Sequence, residues 1–137
     1  MSRLGLFWVR TWQQWDDGFV VARTSRAAAA FVRQEAMSPD PDWAEAERIA
    51  TIPERSQASA LAAMTEDGER RTADWASQGV LAACGVKVVH SKSPRVFFRE
   101  NRLFTEGIFD YLRESRGTEL ARGRAMKLAV ALGRDRQ

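Results

Sequence analysis

The sequence holds one cysteine, Cys84, and one histidine, His90, among its 137 residues. A lone thiol closes no internal disulfide, and one thiol with one imidazole is no ligand set for a structural zinc, so disulfide scaffolds and His/Cys metal clusters are excluded. No run approaches the roughly 18 consecutive apolar residues of a membrane-spanning helix. The opening "MSRLGLFWVRTWQQ" is interrupted too early for a signal peptide, so the chain reads as cytoplasmic, with no membrane partner. Glycine-rich phosphate loops are missing, as is the strand-helix alternation of a doubly wound nucleotide fold, and no cofactor is expected. No repeat of fixed period is present.

What remains is ordinary for a folded protein: hydrophobic residues make up 45% and charged residues 28%, enough to bury a core and too apolar for wholesale disorder. At this length a single domain over 1–137 is expected. The net charge of +3 conceals an asymmetry, with 9 Lys/Arg against 12 Asp/Glu in residues 1–80 and 12 against 6 in residues 81–137. A basic second half attracts nucleic acid or an acidic partner, or simply solubilises the chain.

The period-2 pattern of "LFWVRTW" (6–12) predicts a strand with Phe7, Val9 and Thr11 on one face and Trp8, Arg10 and Trp12 on the other. "DDG" (16–18) supplies turn chemistry, with Asp bonding its following backbone and Gly18 taking a positive φ, and "FVVAR" (19–23) completes a hairpin. Ser25 is a candidate N-cap for the helix "RAAAAFVRQEA", which "SPDPD" (38–42) ends. "WAEAERIATIP" mixes helical composition with alternation and is read as a strand over 47–52. A short helix over 56–64 and a mobile loop around "TEDGERR" follow. "ADWASQGVLAACG" reads as a helix with Ala76, Val80, Ala83 and Cys84 on one face and Gly85 as its left-handed cap. "VKVVH", "RVFFR" and "RLFTE" are strands, the last two joined at "EN". From Gly107 the pattern turns helical, with Ile108, Phe109 and Leu112 clustered, then a final helix carrying Ala121, Ala125, Leu128, Ala129 and Leu132 on one face. These elements predict an α+β fold: a mixed, mainly antiparallel sheet of about five or six short strands with helices packed on one side.

Several groups invite a chemical reading. Asp16 and Asp17 are too few and point too far apart to surround a hard cation, and a tight turn explains them. Cys84 and His90 flank Gly85 and could form a thiolate pair, which makes a cysteine-dependent enzyme one alternative, although Cys84 falls on an apolar helix face where free cysteines behave as small hydrophobes. Glu100, Glu106 and Asp110 could pair for acid/base work, yet Glu106 and Asp110 also suit the favourable start of a helix. Lys87, Lys92, Arg95, Arg99 and Arg102 interleave with Phe97, Phe98 and Phe104, a composition that holds single-stranded nucleic acid, with Arg122, Arg124, Lys127, Arg134 and Arg136 able to extend the patch or to form a solvated helix face. The five tryptophans, Trp8, Trp12, Trp15, Trp43 and Trp75, all fall before residue 76. Tryptophans beside acids have the composition of a protein-contact hot spot; a layer covering that face of the first strand is the plain rival.

The order "FWVRT", "DDGFVVARTSRAAAAF", "RIATIP" and "LAACG…PRVFFRENRLFTEG" resembles small uncharacterised proteins carried on bacterial mobile elements and phages, over roughly half of the chain. The resemblance brings no functional residue with it. It implies an accessory protein of the kind that inhibits a host defence complex by binding it. The expectation is a non-enzymatic protein that binds a protein complex through Trp12, Trp15, Asp16 and Asp17, with nucleic-acid binding through Lys92, Arg95, Arg99 and Arg102 as the alternative.

Overall fold

The computed structural model describes residues 3–66, 69–92 and 94–107. The helices expected after Gly107, Asp110 and the arginines from Arg122 onward lie outside the described residues. Within them the chain is α+β, built on a four-stranded antiparallel sheet of order β3-β1-β2-β6. Its strands are β1 (Gly5–Thr11), β2 (Gly18–Ala22), β3 (Ala44–Thr51) and β6 (Ala73–Trp75). A three-stranded antiparallel sheet, β7 (Lys87–His90), β8 (Val96–Arg99) and β9 (Arg102–Thr105), forms a second layer. A two-residue ribbon pairs β4 (Thr65–Glu66) with β5 (Glu69–Arg70) where "TEDGERR" suggested a loop.

Alternation along β1 and β2 fills both faces of the main sheet. Phe7 opposes Val20 and Trp8 opposes Phe19, and directly opposed residues share a face. On one face Phe7, Val9, Val20 and Ala22 meet Ala28 and Val32 of α1 (Ser25–Glu35). On the other, Leu6, Trp8, Phe19 and Val21 meet Phe97 and Phe104 of the second sheet, together with Ala60 of α2 (Glu54–Ala63) and Val80 and Leu81 of α3 (Gln78–Ala83). Trp8 is therefore core, covered by a second layer, while Trp12 lies beyond the end of its strand. Apart from the β4–β5 ribbon, the strands divide between two sheets, and helices flank both faces of the larger one. Burial of each large apolar side chain among them contributes about 1.5–3 kcal/mol.

Local chemistry moves several boundaries. Thr24, not Ser25, caps α1: its hydroxyl accepts from the Ala27 N–H at 3.1 Å. β3 begins at Ala44, and its pairing skips Ile49, since Leu6 opposes Ala50 while Phe7 opposes Arg48. That bulge lets Ile49 and Ala50 both pack on the Trp8 side. "ADW" is a strand rather than the start of a helix, and α3 begins only after Ser77, whose hydroxyl accepts from Val80 N–H at 3.2 Å. Gly85 does cap α3 at φ 78°, with Val86 N–H reaching Leu81 O at 2.9 Å and Gly85 N–H reaching Ala82 O at 3.1 Å, the two closing bonds of a Schellman end. Glu100 and Asn101 carry φ 46° and 63°, the backbone of a two-residue hairpin turn between β8 and β9.

Candidate functional site

The antiparallel register gathers four chain segments at one end of the main sheet. β1 ends at Thr11, β2 begins at Gly18, β3 begins at Ala44 and β6 ends at Trp75, with Val9 opposite Gly18, Thr11 opposite Ala44 and Val20 opposite Trp75. Trp12, Trp15, Trp43 and Trp75 consequently share that end. Trp12 is 57% exposed, Trp15 38% and Trp75 43%; Trp43 is half-buried.

The turn between β1 and β2 is braced from within. Asp17 is buried, and its Oδ1 accepts from Thr11 N–H at 2.7 Å and from the Thr11 hydroxyl at 2.8 Å. The same hydroxyl oxygen accepts from Asp16 N–H at 2.8 Å. Asp17 thus bonds backward across the turn rather than to the backbone after it. Positive φ falls on Gln13 (53°) and Gln14 (61°), not on Gly18. Gly18 answers a different need: a Cβ there would lie 2.8 Å from Cζ3 of Trp75. Trp12 N–H also donates to Trp43 O at 2.9 Å, joining the turn to the start of β3. Two consecutive left-handed non-glycine residues store strain, and the Thr11–Asp17 lock opposes its release.

Aspartates accompany the indoles. Asp40 Oδ1 accepts from Asp42 N–H at 2.9 Å just before Trp43, and Asp74 Oδ1 accepts from Trp75 N–H at 2.8 Å. Behind Trp15 and Trp75 opens a cleft of about 270 Å³, floored by Phe19, Leu81 and Phe97 and edged by Asp16, Asp17, Arg95 and Glu106. Arg95 and Glu106 form an ion pair in its wall, with Arg95 Nε 2.9 Å from Glu106 Oε1, and this pairing raises the arginine's pKa still further. The chain just after β9 presses on the turn: Gly107 N–H donates to Asp17 O at 2.8 Å, and a Cβ on Gly107 would come within 2.5 Å of Trp15 O. Only glycine permits that approach.

The other candidates are dispersed or occupied. Cys84 is buried, burial raises its pKa, and its carbonyl accepts from Arg99 Nε at 2.8 Å. His90 Nδ1 lies 3.3 Å from Pro94 O. Iodoacetamide is accordingly expected to label Cys84 only at the rate of unfolding, monitored by mass spectrometry; rapid labelling of the native chain would revive the thiolate reading. Glu100 pairs with Arg99 at the hairpin turn and Glu106 with Arg95 beyond β9, so a strand of four residues, roughly 13 Å, separates the two acids. Among the described residues no three His, Cys, Asp or Glu side chains gather as a metal site.

Of the four residues named for nucleic-acid binding, Lys92, Arg95, Arg99 and Arg102, the three arginines are engaged within the fold. Arg95 holds Glu106, Arg99 holds Glu100 and the Cys84 carbonyl, and Arg102 grips Glu47 through two bonds of 2.5 and 3.1 Å. The last pair lowers the Glu47 pKa and clips β9 to β3; solvent screening keeps such a partly exposed pair near or below about 1 kcal/mol. Lys92 is exposed. Sequence reasoning did not find Thr11 as the bracing group or Trp75 as part of the same end as Trp12. The available signal was the Thr11/Asp17 spacing around a predicted hairpin. Comparison with protein-family models, curated proteins and solved structures gives no match to this chain.

Proposed function

We propose that the chain is a non-enzymatic, stoichiometric protein-binding protein whose contact surface is the tryptophan-bearing end of the four-stranded sheet. The observation that carries this reading is the exposure of Trp12, Trp15 and Trp75 together on an internally braced end of the fold. Large rigid side chains with little entropy left to lose are the usual anchors of protein interfaces, and a braced turn lowers the cost of ordering them on binding. Asp16 belongs to the rim; Asp17 acts through the turn it locks. Exposed Asp40 and Asp42 beside Trp43 add negative charge, which favours a partner presenting basic side chains. In the bacterial or phage setting that the sequence resemblance implies, the partner is a cytoplasmic protein complex of a host defence system.

The test is capture from the native host followed by mass spectrometry, with wild type beside Trp12→Ala/Trp15→Ala. A hot-spot pair is expected to weaken capture by about 30-fold or more, with circular dichroism unchanged. Equal capture by a folded double variant overturns the site.

A further inference from the structure

We infer that the outer face of the three-stranded sheet is the docking surface of the chain's own C-terminal segment, residues 108–132. The inference goes beyond the protein-binding reading and does not depend on it.

Alternation along β8 and β9 separates the two faces. The rings of Phe97 and Phe104 lie 5.4 and 5.0 Å from that of Phe19, so both point to the main sheet. Val96, opposite Thr105, and Phe98, opposite Leu103, therefore point away from it. A central strand with nothing over it shows such side chains to water. Val96 is nonetheless 0% exposed, and Pro94, two residues earlier, is fully buried as well. The cross-strand neighbours of Val96, His90 and Thr105, stand beside it rather than over it, because side chains leave a sheet roughly at right angles. Neither the core between the two sheets nor the core beneath α1 includes Val96. A third layer over this face accounts for its burial.

Position, size and pattern fit the remaining chain to that layer. Glu106 N–H donates to Arg95 O at 3.0 Å, so the backbone leaves β9 beside Val96. A helix over 118–132 would be about 22 Å long and about 10 Å wide, enough to lie across strands of four residues, each roughly 13 Å. Its apolar positions, Ala121, Ala125, Leu128, Ala129 and Leu132, recur at helical spacing. Alanines suit a face that itself brings half-buried Phe98 and Leu103, because small residues set against large ones fill a layer without gaps. Tethered to β9 by its own backbone, the segment arrives at an effective concentration on the order of millimolar, which a second copy or a separate partner does not match. The cover also removes Phe98 from any base-stacking platform. Phe97 and Phe104 already lie in the core, so none of the three phenylalanines set among the arginines is left for a nucleic acid.

Methyl-labelled full chain tests this by nuclear Overhauser contacts, which are expected from the Val96 and Leu103 methyls to methyls within residues 108–132. Contacts confined to neighbouring strands overturn the inference. A mixture of differently labelled chains identifies the other occupant: contacts that cross from one label to the other place a second copy on the face and equally overturn it. Leu112→Asp/Leu128→Asp, folded by circular dichroism, is expected to lose these contacts and to open Val96 to a water-soluble paramagnetic probe. A folded double variant with Val96 as protected as in wild type overturns the inference. Should the double variant fail to fold, the wild-type contacts alone decide.

Discussion

Trp8→Ala is expected to destabilise the fold by about 3–5 kcal/mol, the cost of removing a large buried ring whose neighbours cannot collapse into the space. Trp8 lies where the two sheets meet, its ring centroid 4.8 Å from that of Phe19 and 5.0 Å from that of Phe104. Such aromatic pairs add about 0.5–1.5 kcal/mol beyond area burial, and this side chain makes one with each layer. Typical domains are stable by only about 5–15 kcal/mol, so the variant is expected to melt roughly 10–20 °C lower. Trp8→Phe keeps an aromatic ring between the sheets and should lose less. Urea unfolding followed by near-ultraviolet circular dichroism measures this directly. A loss under about 1 kcal/mol for Trp8→Ala would mean that the layers do not depend on this ring.

Asp17→Ala is expected to cost about 2–4 kcal/mol, because it strands two donors, the N–H and the hydroxyl of Thr11, away from water. Asp17→Asn retains an acceptor for both and is expected to be near neutral or stabilising at pH 7. The pH dependence follows from the raised Asp17 pKa, driven by burial and partly opposed by the Thr11 bonds. The folded chain holds this proton more tightly than the unfolded chain, so the stability it confers is full below the ordinary aspartate pKa of about 3.9 and is lost as pH rises through the raised value. The stability of wild type relative to Asp17→Asn should therefore decline from about pH 4 upward and level off above the folded pKa. A difference running the opposite way would show that the Thr11 bonds outweigh desolvation.

Much of this arrangement was legible in the residues. The alternation in β1 and β2, the hairpin joining them, the strands "VKVVH", "RVFFR" and "RLFTE" and the Gly85 cap all rest on local chemistry, and local chemistry is what a sequence displays. "ADW" was misread because three residues ahead of an alanine-containing run carry almost no pattern of their own. They become a strand only because β2 offers an edge, with Ala73 opposite Ala22. β3 begins at Ala44 rather than at Glu47 because Ala44, Glu45 and Ala46 have the composition of a helix, and only their pairing with β1 makes them a strand. The basic patch looked continuous along the chain, yet Glu47, 55 residues before Arg102, neutralises one member, and no local rule reveals such a partner. The tryptophans were singled out by number; their meeting at one sheet end is a property of topology, and Trp8 separates from the others only once the second sheet covers it.

That covering layer also bears on how the protein is made. Trp8 and Phe19 leave the ribosome long before Phe97 and Phe104, the residues that shield them. Throughout that interval the growing chain presents a broad greasy face with Trp8 uncovered, a state prone to sticking to its neighbours. Safe production thus depends on prompt arrival of the β8–β9 hairpin, whose two-residue turn keeps its closure local and fast.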